Sequence, residues 1–195
     1  MYSSSEYSIA LDLISKYHEG QKDIGGKPYL LHLYTVSDNI FSWNTDELNR
    51  GKVVGLLHDI MEDCGVTELD LSNAGISNET IRIVKILTHD KSDTYADYII
   101  KISQDPIATL VKIEDLKHNM DITRLKKLDN NAIRRLKKYF YSYKFLMKEL
   151  SQEKYINKIS DWHTIWINVQ WQWRDRQDSR KDHQNNEGEI QPIRH

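Results

Sequence analysis

Apolar residues recur three and four positions apart through most of the first 150 residues, which is the spacing of one helical face. This pattern predicts helices over about 5–19, from Leu30 through Val36, over 45–63, 78–88 and 93–103, from Pro106 to Met120, and over 130–150. No segment shows the two-residue alternation of a half-buried strand, and no internal repeat is visible. The chain is therefore predicted to be all-α, a bundle of several helices.

Glycine, proline and polar residues mark the predicted connections between these helices. The stretch GQKDIGGKPY, 20–29, is predicted to be a loop, with Pro28 opening the next helix. Gly65 is expected to end the helix before it, and 64–78 is expected to form a turn. Asp105 followed by proline is typical of a helix start, because the acid caps the first turn and proline suits the first helical position.

The last part of the chain changes character. The aromatic segment DWHTIWINVQWQW, 161–173, is predicted to be a packed extension of a main domain over 1–160. From residue 174 to 195 there is almost nothing apolar to bury, and this composition favours a flexible tail.

Composition and charge narrow the classes of function. The chain has 195 residues and a net charge of −2, so no global positive field favours binding to nucleic acid. Cys64 is the single cysteine, which excludes a disulfide within the chain. The first residues lack the basic and apolar regions of a signal peptide, and no apolar run is long enough to span a membrane. We therefore expect a cytoplasmic protein.

The stretch GLLHDIMED, 55–63, carries four ionisable residues within six positions. On a helix at about 100° per residue, Glu62, Asp59 and Asp63 lie about 40°, 100° and 140° from His58, so all four share one side. Neither lysine nor arginine occurs between residues 53 and 63 to relieve the repulsion among the carboxylates. A solvated acidic face is one interpretation. A divalent cation is the other, and imidazole with carboxylates suits Mn²⁺, Zn²⁺ or Fe²⁺.

Further ligands for such a cation must come from other helices. His32 lies on the helix after the glycine-rich loop. Asp115 follows an apolar run in LVKIEDLKHN, at a position expected to be buried, and Asn119 is one turn further along the same face. His118 is a competing ligand on this helix. Glu114 points about 100° away from Asp115.

Four stretches, in order, resemble one known family. They are HEGQKDIGGKPYLLH (18–32), GLLHDIMEDCGVTELDL (55–71), ILTHDKSDTYADYI (86–99) and LVKIEDLKHNMDITRL (110–125). Together they resemble the HD superfamily of metal-dependent phosphohydrolases, and more narrowly the hydrolase domain of RelA/SpoT-type enzymes and the small alarmone hydrolases. The resemblance covers roughly residues 5–150 and implies an HD-domain bundle with a metal site between its helices.

The resemblance also implies a reaction and roles for matching residues. It implies hydrolysis of the 3′-pyrophosphate of (p)ppGpp, the alarmone of the stringent response, to GDP or GTP and pyrophosphate. It implies that one metal, usually Mn²⁺, is bound by His32, His58, Asp59 and Asp115. Glu62 and Asp63 would position or activate the attacking water, and Asn119 would lie beside the nucleotide. Lys22, Lys27 and Lys112 are candidate counter-charges that would bind the nucleotide.

The chain departs from the family pattern in the loop before His32. Asp23 and Ile24 stand where alarmone hydrolases usually carry an Arg-Lys pair that touches the nucleotide. Asp121 follows Asn119 and Met120, at a position where many alarmone hydrolases have a basic residue. The loop resembles that of a less characterised bacterial and phage branch. The residues after 150 show no mixed α/β pattern, so we expect a hydrolase without a synthetase domain.

Three functions follow as alternatives. The first is a (p)ppGpp 3′-pyrophosphohydrolase. The second is an HD nucleotidase or phosphodiesterase acting on another nucleotide, which the altered loop at 22–27 favours. The third is a protein that binds a nucleotide without turnover. The expected partner is a small-molecule nucleotide, with neither membrane nor nucleic acid involved, and a homo-oligomer stays open.

Overall fold

A computed structural model describes residues 4–159 of the chain, and these residues are helical almost throughout. The helices are α1 (Ser4–Tyr17), α2 (Leu30–Asn39), α3 (Thr45–Leu57), α4 (Ile60–Cys64), α5 (Glu68–Ala74), α6 (Asn78–Leu87), α7 (Tyr95–Ile102), α8 (Pro106–Asn119), α9 (Asn130–Leu146) and α10 (Gln152–Ile159). A 3₁₀ turn, Ile122–Arg124, lies between α8 and α9. Within 4–159 the extended backbone is limited to an isolated bridge between Lys22 and Pro28. The all-α prediction is confirmed.

Polar caps fix where most of these helices begin. Side-chain oxygens of the residue before each helix accept hydrogen bonds from backbone N–H groups of the first turn, which would otherwise lack partners. This holds for Asn44, Ser77, Thr94, Asp105 and Asp129. The predicted start at Asp105 is therefore confirmed.

Helix α3 lies at the centre of the described part of the fold. It packs against α1, α2, α6 and α8. Val53, Val54, Leu56 and Leu57 are fully buried, and burying each side chain of this kind is worth about 1.5–3 kcal/mol. Because its end is buried on several sides, α3 carries the residues that follow Leu57 into the interior.

Helices α2 and α3 approach each other closely. A Cβ atom on Gly55 would lie 2.9 Å from the Cα of Ser37, so only glycine fits at this crossing. The hydroxyl of Ser37 donates to the backbone carbonyl of Lys52 at 2.8 Å. The crossing therefore fixes His32 of α2 relative to the end of α3.

The prediction of one helix over 45–63 is wrong near its C-terminal end. Helix α3 ends at Leu57, and α4 begins at Ile60. Between them Asp59 adopts φ −104° and ψ −3°, which departs from helical geometry. His58 and Asp59 thus occupy a bend, which a period of 3.6 residues does not reveal.

Two other boundaries also differ from the prediction. The expected turn over 64–78 contains α5, which Thr67 and Asp70 start with a reciprocal capping box. Short length hides such a helix from periodicity. The predicted helix over 130–150 ends at Leu146, and α10 follows it.

The predicted packed segment 161–173 and tail 174–195 lie outside the described residues. The proposed limit of the main domain at residue 160 therefore stays a prediction. Among residues 4–159, the helices are all too short or too polar to cross a membrane.

Candidate metal centre

Three helical elements bring two histidines and two aspartates together. His32 comes from α2, His58 and Asp59 from the bend between α3 and α4, and Asp115 from α8. One ligand atom each from His32, His58 and Asp115 lies within 4.8 Å of the other two. The Nε2 atom of His58 is 3.0 Å from Asp59 Oδ2, and the Nε2 atom of His32 is 3.3 Å from Asp115 Oδ1. All four predicted ligands therefore converge.

His58 is oriented as a metal ligand would be. Its Nδ1 donates to the backbone carbonyl of Gly55 at 2.8 Å, which leaves the lone pair on Nε2. The residue is only 2% exposed, and its Nε2 is a buried atom without a hydrogen-bond partner among the described residues. Buried polar atoms of this kind call for a partner, and a divalent cation would supply one.

Asp59 and Asp115 are both held by neighbouring side chains. The hydroxyl of Tyr29 donates to Asp59 Oδ2. Lys112 Nζ lies 2.7 Å from Asp115 Oδ2, and Asn119 Nδ2 donates to Asp115 Oδ1 at 2.5 Å. These contacts fix the direction of both carboxylates, as second partners commonly do at metal sites.

Burial and charge oppose each other in this centre. Burial raises the pKa of Asp115, but attraction from Lys112 and the two histidines lowers it well below its usual range. Burial lowers the pKa of His58, but the charges of Asp59 and Asp115 outweigh it and raise that pKa to about 10. Without a cation, the carboxylates therefore attract protons onto the imidazoles, where a metal would otherwise sit.

Glu62 and Asp63 are exposed beside this buried group. The backbone N–H of His89 donates to Glu62 Oε2 at 3.1 Å, and Gln21 Nε2 donates to Asp63 Oδ2 at 3.3 Å. Partial desolvation and the charge of Asp59 raise the pKa of Asp63 to about 6. Desolvation likewise raises the pKa of Glu62. Asp63 can therefore exchange a proton near neutral pH, and the pKa of Glu62 is shifted in the same direction.

The other predicted residues differ in where they lie. Asn119 contacts Asp115 and also faces a surface pocket, whereas Lys112 is paired with Asp115. Lys22 and Lys27 are exposed on the 20–29 loop, and neither forms an ion pair within the described residues. The structure thus brings Lys112 into the centre and leaves both loop lysines outside it.

The pocket beside Asn119 was missed by sequence reasoning. It is lined by Ile24, Asn119, Asp121, Arg124, Leu125, Ala132, Arg135, Leu136 and Tyr139. Arg124 and Arg135 supply positive charge and Tyr139 an aromatic ring. The basic pattern of 134–138 was the available signal, but a basic amphipathic helix is equally typical of a solvated face.

Tyr29 and His118 also contact the predicted ligands. Tyr29 lies three residues before His32 and packs against its ring, with centroids 5.3 Å apart. His118 Nδ1 is 2.6 Å from His32 Nδ1. The i, i+3 spacing was the one available signal for Tyr29. His118, the competing ligand, contacts His32 at Nδ1, the ring nitrogen that does not face Asp115.

Comparison with known proteins supports the same family. Over 85 residues the chain is 35% identical to the probable guanosine-3′,5′-bis(diphosphate) 3′-pyrophosphohydrolase of Mycoplasma pneumoniae. Over 124 residues it is 29% identical to the guanosine-3′,5′-bis(diphosphate) 3′-pyrophosphohydrolase of Vibrio cholerae. The resemblance to the RelA/SpoT-type HD hydrolase domain is confirmed. No protein-family profile matches the chain.

The matched region is a small part of each curated relative. The two matches cover 42% and 58% of this chain but 11% and 17% of the relatives' length. A GTP pyrophosphokinase of Myxococcus xanthus is 31% identical over 120 residues, 54% of this chain and 16% of that protein. This chain therefore spans less than a fifth of these relatives.

A solved structure confirms the fold. It is described as a metazoan ortholog of SpoT that hydrolyzes ppGpp and plays a role in starvation responses. The match has a TM-score of 0.60 and 19% identity, and covers 83% of this chain and 97% of that one. At this identity the likeness concerns the arrangement of the helices.

Proposed function

We propose that this chain is a metal-dependent phosphohydrolase that cleaves the 3′-pyrophosphate of (p)ppGpp, releasing GDP or GTP and pyrophosphate. The observation that carries the proposal is the buried group of His32, His58 and Asp115, in which His58 Nε2 makes no hydrogen bond and lies 3.0 Å from Asp59 Oδ2. The names of the relatives support this substrate. Action in the cytoplasm and a homo-oligomer stay predictions.

The four converging side chains suit a divalent cation, and we propose Mn²⁺. His32, His58, Asp59 and Asp115 would hold it, since two imidazoles and two carboxylates match the ligands that Mn²⁺ accepts. When bound, such a cation lowers the pKa of a water ligand and neutralises phosphate oxygens. The fit is supported by the orientation of His58, whose remaining nitrogen is already tied to Gly55.

Glu62 and Asp63 would handle the proton of the attacking water. Each carboxylate has one polar contact that orients it, from His89 or from Gln21. Their raised pKa values make both groups better proton acceptors than an ordinary surface acid. The nucleophile would lose its proton to one of these carboxylates as the phosphorus–oxygen bond to the leaving group breaks.

The pocket beside Asn119 would receive the nucleotide. Arg135 provides a guanidinium for phosphate or base, and Tyr139 provides a ring for stacking. Lys22 and Lys27 would approach the same ligand from the loop. The ion pair of Lys112 with Asp115 supports a role as counter-charge in the centre, while its contact with the nucleotide stays a prediction.

One observation favours the second candidate, hydrolysis of a different nucleotide. Asp23 stands where the family has a basic residue, and it forms an ion pair with Arg124. At this position the 20–29 loop therefore lines the pocket with Ile24, and any cation from the loop has to come from Lys22 or Lys27. This change would affect recognition of the nucleobase and leaves the proposed metal ligands in place.

Incubation with candidate nucleotides distinguishes these functions. Purified chain with Mn²⁺ would be given ppGpp, pppGpp, cyclic nucleotides or nucleoside monophosphates, and the products separated by chromatography. GDP and pyrophosphate from ppGpp would support the proposal. Intact ppGpp with cleavage of another nucleotide would support the second candidate. Tight nucleotide binding without any cleavage would leave a binding protein.

A further inference from the structure

Asp23 and Arg124 form a nearly buried ion pair between the 20–29 loop and the 3₁₀ turn. Arg124 Nη2 lies 2.8 Å from Asp23 Oδ2, and the two side chains are 11% and 5% exposed. Asp23 also accepts a hydrogen bond from the backbone N–H of Lys27 at 2.8 Å. Because the acid is fixed within its own loop, it holds the guanidinium in one direction.

Arg124 in turn constrains His118. Its Nη1 lies 2.8 Å from His118 Nδ1 and 2.8 Å from the backbone carbonyl of His118. A guanidinium can only donate hydrogen bonds. His118 Nδ1 must therefore accept, so the neutral ring carries its proton on Nε2.

The same nitrogen of His118 determines how His32 is protonated. His32 Nδ1 lies 2.6 Å from His118 Nδ1, which already accepts from Arg124. His32 must therefore donate through Nδ1. Its other nitrogen, Nε2, is then the one with a free lone pair, and it faces Asp115 Oδ1 at 3.3 Å, inside the centre.

We propose that Asp23, Arg124 and His118 are positioning residues that hold His32 in the tautomer whose Nε2 faces the metal centre. The 20–29 loop would thereby be coupled to the affinity for divalent cations. This inference rests on the metal site of the proposed function and adds residues that are not themselves ligands.

A close backbone contact supports the same coupling. A Cβ atom on Gly25 would lie 2.7 Å from the backbone oxygen of Arg124, so the loop and the 3₁₀ turn touch at this point. Glycine is thus required two residues after Asp23. The ion pair with Asp23 and the close contact at Gly25 both keep Arg124 against His118 Nδ1.

Affinity for Mn²⁺ is the first measurement, made by calorimetry on the full chain. We expect Arg124→Gln and Asp23→Asn each to weaken binding by about 10- to 100-fold, the usual effect of removing a partner of a metal ligand. Lys127→Gln is the matched control, because it removes a neighbouring positive charge that is 79% exposed and pairs only with Asp129 among the described residues. Its Mn²⁺ affinity should equal that of the wild type.

A double variant separates positioning from general loss of stability. If Asp23 acts through Arg124, then Asp23→Asn in the Arg124→Gln background should add almost no further loss of Mn²⁺ affinity. Additive losses would contradict the relay. Melting temperatures of the metal-free variants would be recorded alongside, and a fall in affinity without a matching fall in stability supports positioning.

The tautomers can be observed directly by nitrogen-15 NMR of labelled histidines in the protein loaded with diamagnetic Zn²⁺. We expect the Nδ1–H form for His32 and the Nε2–H form for His118, and a mixture for His118 in Arg124→Gln. This inference alone would be overturned if the wild type binds Mn²⁺ and both variants keep the wild-type affinity and the wild-type tautomers. A wild type that binds no divalent cation would overturn the proposed function as well.

Discussion

The metal centre and the pocket beside it are built in opposite ways. The centre takes its candidate ligands from α2, the α3–α4 bend and α8, where His32, His58 and Asp115 are buried and held by further contacts. The pocket takes its lining mainly from the 20–29 loop, the 3₁₀ turn and α9, and Asp121 and Arg135 reach solvent there.

Under the proposed function, this difference separates the residues that perform the hydrolysis from those that select the substrate. Buried ligands on packed helices tolerate little change, since each polar group lacks an alternative partner in water. A loop residue such as Ile24, which lines the pocket and is not part of the chain of contacts to His32, can vary while the centre stays intact. One fold can therefore keep a single hydrolytic centre and change the nucleotide that it accepts.

Removing a ligand should have the largest effect. We expect Asp59→Ala to lose metal binding and hydrolysis together, with activity reduced by at least about a thousandfold, because the ligand set of the cation would be incomplete. Calorimetry and the product assay would be run on the same preparation. Asp90→Asn, an exposed acid on a loop, is the control. Full Mn²⁺ affinity in Asp59→Ala would contradict the assigned ligand set.

Glu62→Gln should separate metal binding from turnover. Asp59 and the other ligands stay in place, so Mn²⁺ affinity is expected to remain, while loss of the proton acceptor lowers kcat by about 10²- to 10⁴-fold. Glu68→Gln removes an exposed acid on α5 and serves as the comparison. A Glu62→Gln protein with wild-type kcat would remove the proposed role of this carboxylate.

The pocket should affect recognition more than the chemical step. We expect Arg135→Gln to raise KM about tenfold with kcat nearly unchanged, the signature of lost uniform binding. Arg134→Gln offers a matched control, since it changes the same charge one residue away on an exposed part of α9 and does not line the pocket. Equal effects of the two variants would indicate a general effect of charge.

The smallest expected effect concerns the stability of the folded chain and its dependence on the protonation of buried Lys138. Lys138 of α9 is buried with its Nζ 4.1 Å from the ring centroid of Tyr95, and burial lowers its pKa to about 7. The unfolded chain keeps a normal lysine pKa, so it binds more protons between about pH 7 and 10, and stability should rise with pH in that window.

Lys138→Met tests this directly through melting temperatures at pH 6 and pH 9. The variant should be more stable than the wild type by a few degrees at pH 6, and the gain should shrink at pH 9, where the wild-type lysine is neutral. Lys137→Met, an exposed neighbour, should show no such dependence on pH. The same gain at both pH values would mean that packing, not charge, limits stability here.

Local sequence patterns were sufficient for the all-α class and for most helix positions. They also marked His58 and Asp59 as candidate ligands and offered His32, Asp115 and the competing His118 as further ones, because a buried polar residue inside an apolar run needs a partner. The resemblance supplied the remaining steps, from these candidates to the set His32, His58, Asp59 and Asp115 and to a reaction.

Local patterns failed where structure depends on distant contacts. The bend at Asp59 interrupts a stretch whose apolar spacing continues through it, and α5 is too short for its periodicity to be seen. Arg124 lies 101 positions from Asp23, and no local spacing connects them. Their ion pair decides how the 20–29 loop faces the pocket.

The sequence by itself determined which residues could bind a metal, because helical spacing and burial of the flanking residues are local properties. Only the tertiary structure decided how those residues are oriented. The Gly55 carbonyl sets the tautomer of His58, and Arg124 sets that of His118. Such hydrogen bonds depend on where separate elements come to rest in the folded chain, which a single stretch of sequence does not encode.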